Sequence, residues 1–389
     1  MNLEFTNEEK ELARVARKAL AGRDTLASAR AALDGDAPPD LWELAVQLGW
    51  PGVLVTSDEE TGGTLLPGLA AAMLLHIECG RALASTGLPG HAAVLAAFAR
   101  HARHDTVTAL WEELVAGTAR GVFLPAVPGS RDGHPTMQVD ERPCAPRGEL
   151  PAAAGAGRDI EVTGRAAMVP GVTEDATLLV PVRCADGTAG AALVDGQASG
   201  VKITTGRRYD MTTSTGSVDF EAAPATMLPL TGGDLRRAWD VMQVLLSAEA
   251  LGVCEATLDM GVDYAKRRRA FGRPIGTFQA IKHQLTDVYR QAENVRSLLC
   301  FSAVSAGTDE FSLACSCARL AADRAAESAT RACLAVHGAI GVTWEHDAHL
   351  YFRRAESARL LLGGQEVAAG HIVGESHRLA IAAESREGT

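Results

Sequence analysis

Several common signatures of function are missing from this 389-residue chain. No G-x-G-x-x-G loop opens a strand–helix–strand unit, and there is neither a P-loop nor a G-x-S-x-G elbow. The eight cysteines form no C-x-x-C pair and are scattered among apolar residues. These absences argue against the commonest dinucleotide, triphosphate and serine-hydrolase motifs, and they favour reduced core thiols in a cytoplasmic protein.

The chain also lacks a long apolar run and an excess of positive charge. No segment approaches about 18 consecutive uncharged apolar residues, so we expect no membrane span. The 37 basic and 48 acidic residues give a net charge of -11, which argues against non-specific nucleic-acid binding. His346 and His349 lack the i, i+4 spacing with which two imidazoles on one helix share a metal, so we expect no metal site.

Turn signals and changes of periodicity divide the chain into three parts. Residues 1–118 have helical patterns interrupted by Gly and Pro. Residues 119–230 contain short β-rich runs with Gly, Pro and Asp at turn spacing, and residues 231–389 return to long helical patterns. The predicted fold is therefore mainly α with a central β domain: an N-terminal helical domain, a small β domain and a C-terminal helical bundle.

A basic junction stands between two of the long helical patterns. Residues 264–279 read YAKRRRAFGRPIGTFQ and carry five positive charges around a Phe-Gly turn. Arginine forks and helix-end amides both favour anions, so this junction suits a diphosphate group. A solvated basic helix end is the alternative interpretation. The next helix is predicted to place one apolar face inward, made of Ile281, Leu285, Val288, Ala292, Val295, Leu299 and Ala303.

The order of the three parts and several motifs resemble the acyl-CoA dehydrogenase family. The motifs are RRRAFGRPIGTFQAIKH, HGAIGVTWEHDAHLYFRRA, LGWPGVLV and IECGRALA, and the resemblance covers essentially the whole chain. It implies a middle β-barrel domain and a C-terminal four-helix bundle with FAD between them, completed by a neighbouring subunit of a tetramer. It also implies an acyl-CoA substrate, α,β-dehydrogenation as in fatty acid or steroid oxidation, and an electron-transfer flavoprotein as acceptor.

The resemblance assigns cofactor-binding roles to five positions. Arg268 matches the arginine that reaches the FAD diphosphate across a subunit boundary, and its bidentate guanidinium fits that role. Phe271 would pack near the flavin or the adenosine, and Gln279 would hydrogen-bond in the same site. A core aromatic and a surface amide are the respective alternatives. Gly338 belongs to the matching His-Gly pair, and Met168 stands where the family has a tryptophan over the flavin ring.

The sequence departs from the family pattern at other cofactor positions. Ala335 replaces the family's glutamine before the His-Gly pair, and Ala339 replaces its second glycine. The run Gly121–Pro125 stands where the family places a strand with polar contacts to the flavin. Met168 can pack against a flat π system, but the polar contacts have no evident replacement.

The proton-abstracting carboxylate is missing from both places where the family holds it. Leu362 occupies the usual glutamate position before Gly363-Gly364, and Met242 occupies the alternative one. Glu249 lies on nearly the same helix face as Met242 and is a candidate base; its alternative is a carboxylate paired with an arginine inside the bundle. Glu366 is a weaker candidate, more typical of a helix surface.

Three hypotheses follow for the whole protein. The chain is the base-less subunit of a heteromeric acyl-CoA dehydrogenase, lending Arg268 to a flavin site completed by a sister chain. Alternatively it is a self-sufficient homo-oligomeric flavin enzyme with a displaced base, or a member of the fold with a structural or binding role and no redox chemistry.

Overall fold

The computed structural model describes residues 5–55, 68–105, 107–124, 150–155, 157–206 and 208–387. Its element order is helices, then strands, then helices. This confirms the predicted fold class of a mainly α chain with a small central β-barrel and a C-terminal helical bundle.

The helices form an N-terminal group of six and a C-terminal group of five within the described residues. They are α1 (Asn7–Ala21), α2 (Thr25–Asp34), α3 (Trp42–Gln47), α4 (Leu69–Arg81), α5 (Leu88–Phe98), α6 (Thr108–Ala116), α7 (Gly232–Arg267), α8 (Gln279–Val304), α9 (Phe311–His337), α10 (Ala348–Ala358) and α11 (Gly364–Glu387).

The strands are β1 (Gly121–Phe123), β2 (Ala152–Gly155), β3 (Asp159–Pro170), β4 (Thr177–Arg183), β5 (Ala189–Asp195), β6 (Val201–Thr205), β7 (Thr215–Leu228), β8 (Arg269–Ala270) and β9 (Arg273–Pro274). The first seven form one sheet that closes on itself. Antiparallel pairs join β4 to β5, β5 to β7, β7 to β3 and β3 to β2, and Ala152 of β2 returns to Arg183 of β4. Closure leaves few free sheet edges.

Helix α7 is the central element of the C-terminal bundle. It starts at a capping box, in which Thr231 and Asp234 satisfy each other's backbone N–H groups, and it is buried around most of its circumference from Leu235 to Cys254. It packs against α4, α5, α8 and α9. Helix α8 buries Val288, Ala292, Val295 and Leu299, four members of its predicted apolar face, against this bundle.

Two glycines let α4 and α7 cross with their backbones nearly in contact. A Cβ at Gly80 would lie 2.0 Å from the Glu249 carbonyl oxygen, and one at Gly252 would lie 2.0 Å from the Ile77 carbonyl oxygen. Only glycine fits at either position without moving a helix. The crossing therefore fixes where α7, and Glu249 with it, lies relative to the N-terminal helices.

Helix α7 is long and apolar enough to cross a membrane by length and composition alone. However, 83% of its most apolar 18-residue window is buried inside the protein. Because the core helix of a folded protein passes the same test, this burial explains the apolar composition.

Candidate functional site

The three parts of the chain meet around one interdomain cavity of about 220 Å³. The N-terminal domain contributes the turn between α4 and α5, and the barrel contributes the end of β3 and the β6–β7 connection. The bundle contributes α7 and the end of α10. Residues from all three parts are needed to enclose it, as at many ligand sites in multidomain proteins.

Met168 reaches this cavity because β3 is bulged there. The pairing of β3 with β7 shifts register between Ala166 and Val169, and Met168 has the left-handed φ of 56°. Such bulges redirect a side chain out of the regular alternation of a strand. Met168 consequently lines the cavity, where it presents an apolar thioether.

Glu249 lies in the cavity wall from α7. It is buried, and its Oε2 accepts a hydrogen bond of 3.3 Å from Arg354 Nη2 on α10. Burial raises the pKa of Glu249, and the Arg354 guanidinium opposes that rise. Glu249, the candidate base, therefore lies in the site. It is also paired with an arginine inside the bundle, as its alternative interpretation predicted.

Leu362, which occupies the position of the family's catalytic glutamate, is buried. Its backbone is left-handed, with φ 58°, and Gly363 and Gly364 continue the turn with φ of 75° and 63°. Its neighbour Leu361 lines the cavity. Glu366, the weaker candidate for a base, is exposed in the first turn of α11. At the family's glutamate position, this turn therefore supplies only aliphatic side chains.

Asp210 is a cavity carboxylate that the sequence analysis missed. It follows β6 and is 3% exposed. Its Oδ1 accepts hydrogen bonds from Thr212 N at 2.9 Å and Thr212 Oγ1 at 2.7 Å, whereas its Oδ2 has no hydrogen-bond partner within the described residues. The Asp-x-Thr spacing is a visible turn signal, but only the tertiary fold brings it opposite Arg354.

Arg354 links the two cavity carboxylates. Its Nη1 lies 3.9 Å from Asp210 Oδ2 and donates to Thr212 Oγ1 at 3.1 Å, and its Nη2 also donates to the Ala84 carbonyl at 3.2 Å. One guanidinium thereby connects the bundle, the barrel and the N-terminal domain. Burial raises the pKa of Asp210, and Arg354 opposes that effect as well.

The predicted diphosphate arginine lies away from this cavity, on a hairpin that follows α7. Arg268 is the C-terminal cap of α7, and β8 and β9 pair across the Phe271-Gly272 turn. Phe271 is 95% exposed with φ 53° and meets the Phe278 ring edge-on at 6.2 Å between centroids. Within the described residues, the exposed Arg268 side chain has no ion pair. Gln279, the first residue of α8, is also exposed.

Gly338 belongs to the same end of the bundle as the hairpin. The His337 ring before it packs at a tilt against Tyr264, four residues before Arg268, with ring centroids 4.3 Å apart. Gly338 has φ 65°, and a Cβ built there would meet no atom within 4 Å. Ile340, Val342 and Trp344 lie exposed just beyond it. This end of the bundle therefore presents the hairpin arginines, exposed aromatic side chains and the open backbone at Gly338.

The chain therefore brings the predicted residues into two groups. Met168, Glu249 and the Leu362 turn lie around the interdomain cavity, whereas Arg268, Phe271 and Gln279 lie on the hairpin, with Gly338 at the same end of the bundle. The cavity offers a largely apolar wall with one buried guanidinium (Arg354), two buried carboxylates (Asp210 and Glu249) and the exposed Arg208. The hairpin offers the exposed Arg268 guanidinium, which has no ion pair among the residues that the structure describes, and a guanidinium of this kind suits phosphate oxygens.

Comparison with known proteins shows which family has this sequence and fold. Residues 236–376 match the family model "Acyl-CoA dehydrogenase, C-terminal domain". The acyl-CoA dehydrogenase IpdE2 of Mycobacterium tuberculosis is 44% identical over 129 residues, which are 33% of this chain and 39% of that protein. In three such curated relatives, the matched segment spans between 24% and 47% of the relative's length.

Two solved structures extend the likeness to nearly the full chain. The Tcur3481–Tcur3483 steroid ACAD G363A variant is 29% identical with a TM-score of 0.79, and the match covers 96% of this chain and 99% of that one. The ChsE4–ChsE5 complex of Mycobacterium tuberculosis shares the fold at 22% identity and a TM-score of 0.79, covering 98% and 99% of the two chains. This chain belongs to the acyl-CoA dehydrogenase family.

Proposed function

We propose that this chain is the base-less subunit of a heteromeric, FAD-dependent acyl-CoA dehydrogenase of the cytoplasm. The observation that carries the proposal is the aliphatic turn at Leu362, where a proton-abstracting carboxylate is expected and a buried leucine stands instead. Leucine cannot accept a proton, so the base must come from another residue or another chain.

The arginine pair weakens the case for a base within this chain. A general base must approach the substrate's acidic carbon with a free lone pair. Glu249 Oε2 is already an acceptor for Arg354, and withdrawing it would leave a buried guanidinium without that partner. This geometry favours a structural role for the carboxylate, which ties α7 to α10.

The hairpin supports a role for this chain in a site shared between subunits. Arg268 would bind the diphosphate of FAD, while Phe271 and Gln279 would contact the adjoining nucleotide, and the open backbone at Gly338 leaves space for it. When bound, FAD supplies the hydride acceptor for dehydrogenation. The hairpin residues and Gly338 suit the phosphate end of the cofactor. Of the five predicted cofactor-binding residues, Met168 is the one that lines the cavity. The flavin ring of a cofactor bound at the hairpin is therefore better placed against a sister subunit.

The substrate class and partners follow from the same comparison. The Tcur3481–Tcur3483 and ChsE4–ChsE5 structures are each named for two proteins, and the first is described as a steroid ACAD. We therefore propose a bulky acyl-CoA thioester, such as one with a sterol-derived side chain, as the substrate of the complex. A sister acyl-CoA dehydrogenase subunit and an electron-transfer flavoprotein would be its protein partners.

Co-expression tests this proposal. The chain would be produced alone and together with a neighbouring acyl-CoA dehydrogenase-like chain, and the flavin content of each purified sample would be measured. We expect the two chains to co-purify as a yellow complex and this chain alone to be colourless. A protein that is colourless with every neighbouring chain would instead indicate a non-redox role.

A self-sufficient enzyme is the second candidate, favoured by the position of Glu249 in the cavity wall. Its burial raises the pKa of its carboxyl, as in catalytic acids and bases. Glu249→Gln separates the two functions. If Glu249 is the base, the variant loses turnover by a factor of about 100 or more; in the base-less subunit, the variant keeps turnover of the complex to within about threefold.

A further inference from the structure

We propose that a second, smaller cavity, enclosed by α7, α9 and α10, is a proton-binding site in which the carboxyl groups of Glu249 and Asp323 share a single proton. This cavity has a volume of about 10 Å³, and its lining includes Glu249 of α7, Asp323 of α9 and Arg354 of α10. The inference goes beyond the proposed function and does not rest on it, because it concerns charges inside the fold of this chain alone.

The cavity joins two buried ion pairs. Arg319 Nε donates to Asp323 Oδ2 at 3.0 Å, and Arg354 Nη2 donates to Glu249 Oε2 at 3.3 Å. Arg354 Nη1 also lies 3.9 Å from Asp210 Oδ2. None of these five side chains is more than 8% exposed. Three carboxylates therefore face two guanidinium groups, so the fully ionised group has an excess of one negative charge.

One proton would remove this excess. An unbalanced charge at such depth is costly unless a partner or a proton neutralises it. The cavity has about the smallest volume that holds one water molecule, and its three ionisable lining groups are enough polar partners for a buried water. A water there would carry the hydrogen bond between Glu249 and Asp323, so a proton taken from solvent is shared by both carboxyl groups.

The environment of each carboxyl group favours its protonated form. Burial raises the pKa of Asp210, Glu249 and Asp323, and nearby arginines oppose the rise in each case. For Asp323, burial raises the pKa to about 6 although Arg319 acts against it. The charge of Asp210 further raises the pKa of Glu249. Carboxyl groups that interact in this way titrate as a group.

Further ionisable groups around the cavity are exposed to solvent, already paired or neutral. Arg359, which follows α10, donates to the carboxylate of Glu356 at 2.8 Å. Arg353 acts on Asp210 but is half-buried and donates to the backbone of the β6–β7 connection, so solvent screens its charge. Burial raises the pKa of the Cys79 thiol on α4 well above its usual value, so this thiol is neutral. The excess negative charge is therefore left to a proton.

The pH dependence of unfolding tests the site. Because the pKa of Asp323 is higher in the folded chain than the ordinary value of about 3.9, stability declines as the pH rises through the folded value. Asp323→Asn removes this decline. The folding constant of the full-length variant, divided by that of the parent chain, should rise about tenfold between pH 5 and pH 8 in urea unfolding. Groups that titrate elsewhere cancel in this ratio, and a constant ratio would overturn the proposal.

A second variant tests whether the proton is shared, and it serves equally if Asp323→Asn does not fold. Glu249→Gln also leaves two carboxylates and two guanidinium groups. Each single variant, and the double variant, should therefore show the same rise of about tenfold. If each single variant showed only part of the rise and the double variant showed all of it, the two carboxyl groups would titrate separately and the shared site would be refuted.

Asp287→Asn is the matched control. Asp287 is an exposed aspartate of the bundle paired with Arg290 at 2.7 Å, and the hydrogen bond from Arg290 lowers its pKa. Its ratio should change by less than about twofold between pH 5 and pH 8, since this group titrates at lower pH. A rise equal to that of Asp323→Asn would contradict the assignment of the proton to the cavity.

Infrared difference spectra between pH 5 and pH 8 give a second readout that needs no unfolding. The parent chain should gain, at pH 5, the carbonyl band of one protonated carboxyl group that both Asp323→Asn and Glu249→Gln lack. Identical difference spectra for the parent and the two variants would refute the site. None of these measurements involves flavin or thioester, so they leave the proposed function to its own test.

Discussion

Arg354 organises the charged residues in the interdomain cavity. Its guanidinium contacts Glu249, Thr212 and the Ala84 carbonyl, which belong to the bundle, the barrel and the N-terminal domain respectively. A buried arginine shared in this way stabilises the relative position of its partners but restricts each of them. The candidate base is therefore a positioning carboxylate in our account.

Removal of the hairpin arginine provides a direct residue-level prediction. Arg268→Ala should weaken flavin binding to the co-expressed complex by about ten- to a hundredfold, because a charge-assisted contact with phosphate would be lost. Fluorescence titration of the flavin-free complex measures this change. Arg290→Ala is the control, since Arg290 is an exposed arginine of α8 already paired with Asp287 at 2.7 Å. Equal flavin affinity in both variants would show that Arg268 does not bind the cofactor.

Two buried histidines predict how stability depends on pH. Burial lowers the pKa of His91 to about 3 and that of His76 to about 4. Since the unfolded chain binds these protons near its ordinary pKa of about 6.5, stability is complete above that pH and declines as pH falls toward the folded values. At pH 5 each histidine should cost about 2 kcal/mol relative to pH 7.

Urea unfolding at several pH values tests this effect. His91 Nδ1 accepts from Gly121 N at 3.0 Å and its Nε2 contacts the Leu114 carbonyl at 3.1 Å, so the ring is neutral in the fold. His91→Gln should lower stability at pH 7 but flatten its decline between pH 7 and pH 5 by about 2 kcal/mol. An unchanged slope would mean that His91 does not titrate on unfolding.

At the level of elements, the crossing of α4 and α7 determines the geometry of the cavity wall. Gly252→Ala should destabilise the protein by about 1–3 kcal/mol or more, because its methyl group would meet the Ile77 carbonyl oxygen. Thermal or urea unfolding would measure the loss.

A second glycine of α7 provides the matched control for that variant. A Cβ at Gly261 would meet only the flexible end of Leu285, at 3.2 Å. Gly261→Ala should therefore stay within about 1 kcal/mol of the unmodified protein, helped by the better helix propensity of alanine. Similar effects of the two substitutions would contradict the close approach of α4 to α7.

The elements also show what the sequence could predict. Helical periodicity identified the buried face of α8, and Gly, Pro and Asp spacing separated the barrel strands from the helices. The bulge that turns Met168 into the cavity was not predictable, because it depends on a register shift between β3 and β7. Pairing register is a tertiary property that the β3 residues alone do not specify.

The sequence predicted only those residues of the candidate site that can be recognised within one short segment. The basic hairpin around Arg268 and the leucine at position 362 are visible as patterns in one short segment each. Asp210 and Arg354 are 144 residues apart in the numbering, and they meet only because the β6–β7 connection packs against α10. The sequence therefore identified the leucine at the family's glutamate position but not the buried carboxylate Asp210 among the cavity-lining residues.

At the scale of the whole molecule, binding groups are present and the usual proton acceptor is not. The chain presents a cationic hairpin outward and encloses a largely apolar cavity with one buried arginine and two buried carboxylates. A subunit of this kind would contribute to a flavin site that it does not complete. In the proposed function, the three parts of the chain are a scaffold for a site shared with a sister chain.

Anaerobic mixing with an acyl-CoA thioester, followed by the flavin absorption spectrum, tests this central claim most directly. The chain reconstituted alone with FAD and the co-expressed complex would be compared, each with and without Glu249→Gln. We predict that the thioester bleaches the flavin of the complex, with or without the substitution, and leaves the isolated chain unchanged. Bleaching by the isolated chain that Glu249→Gln abolishes would contradict the account.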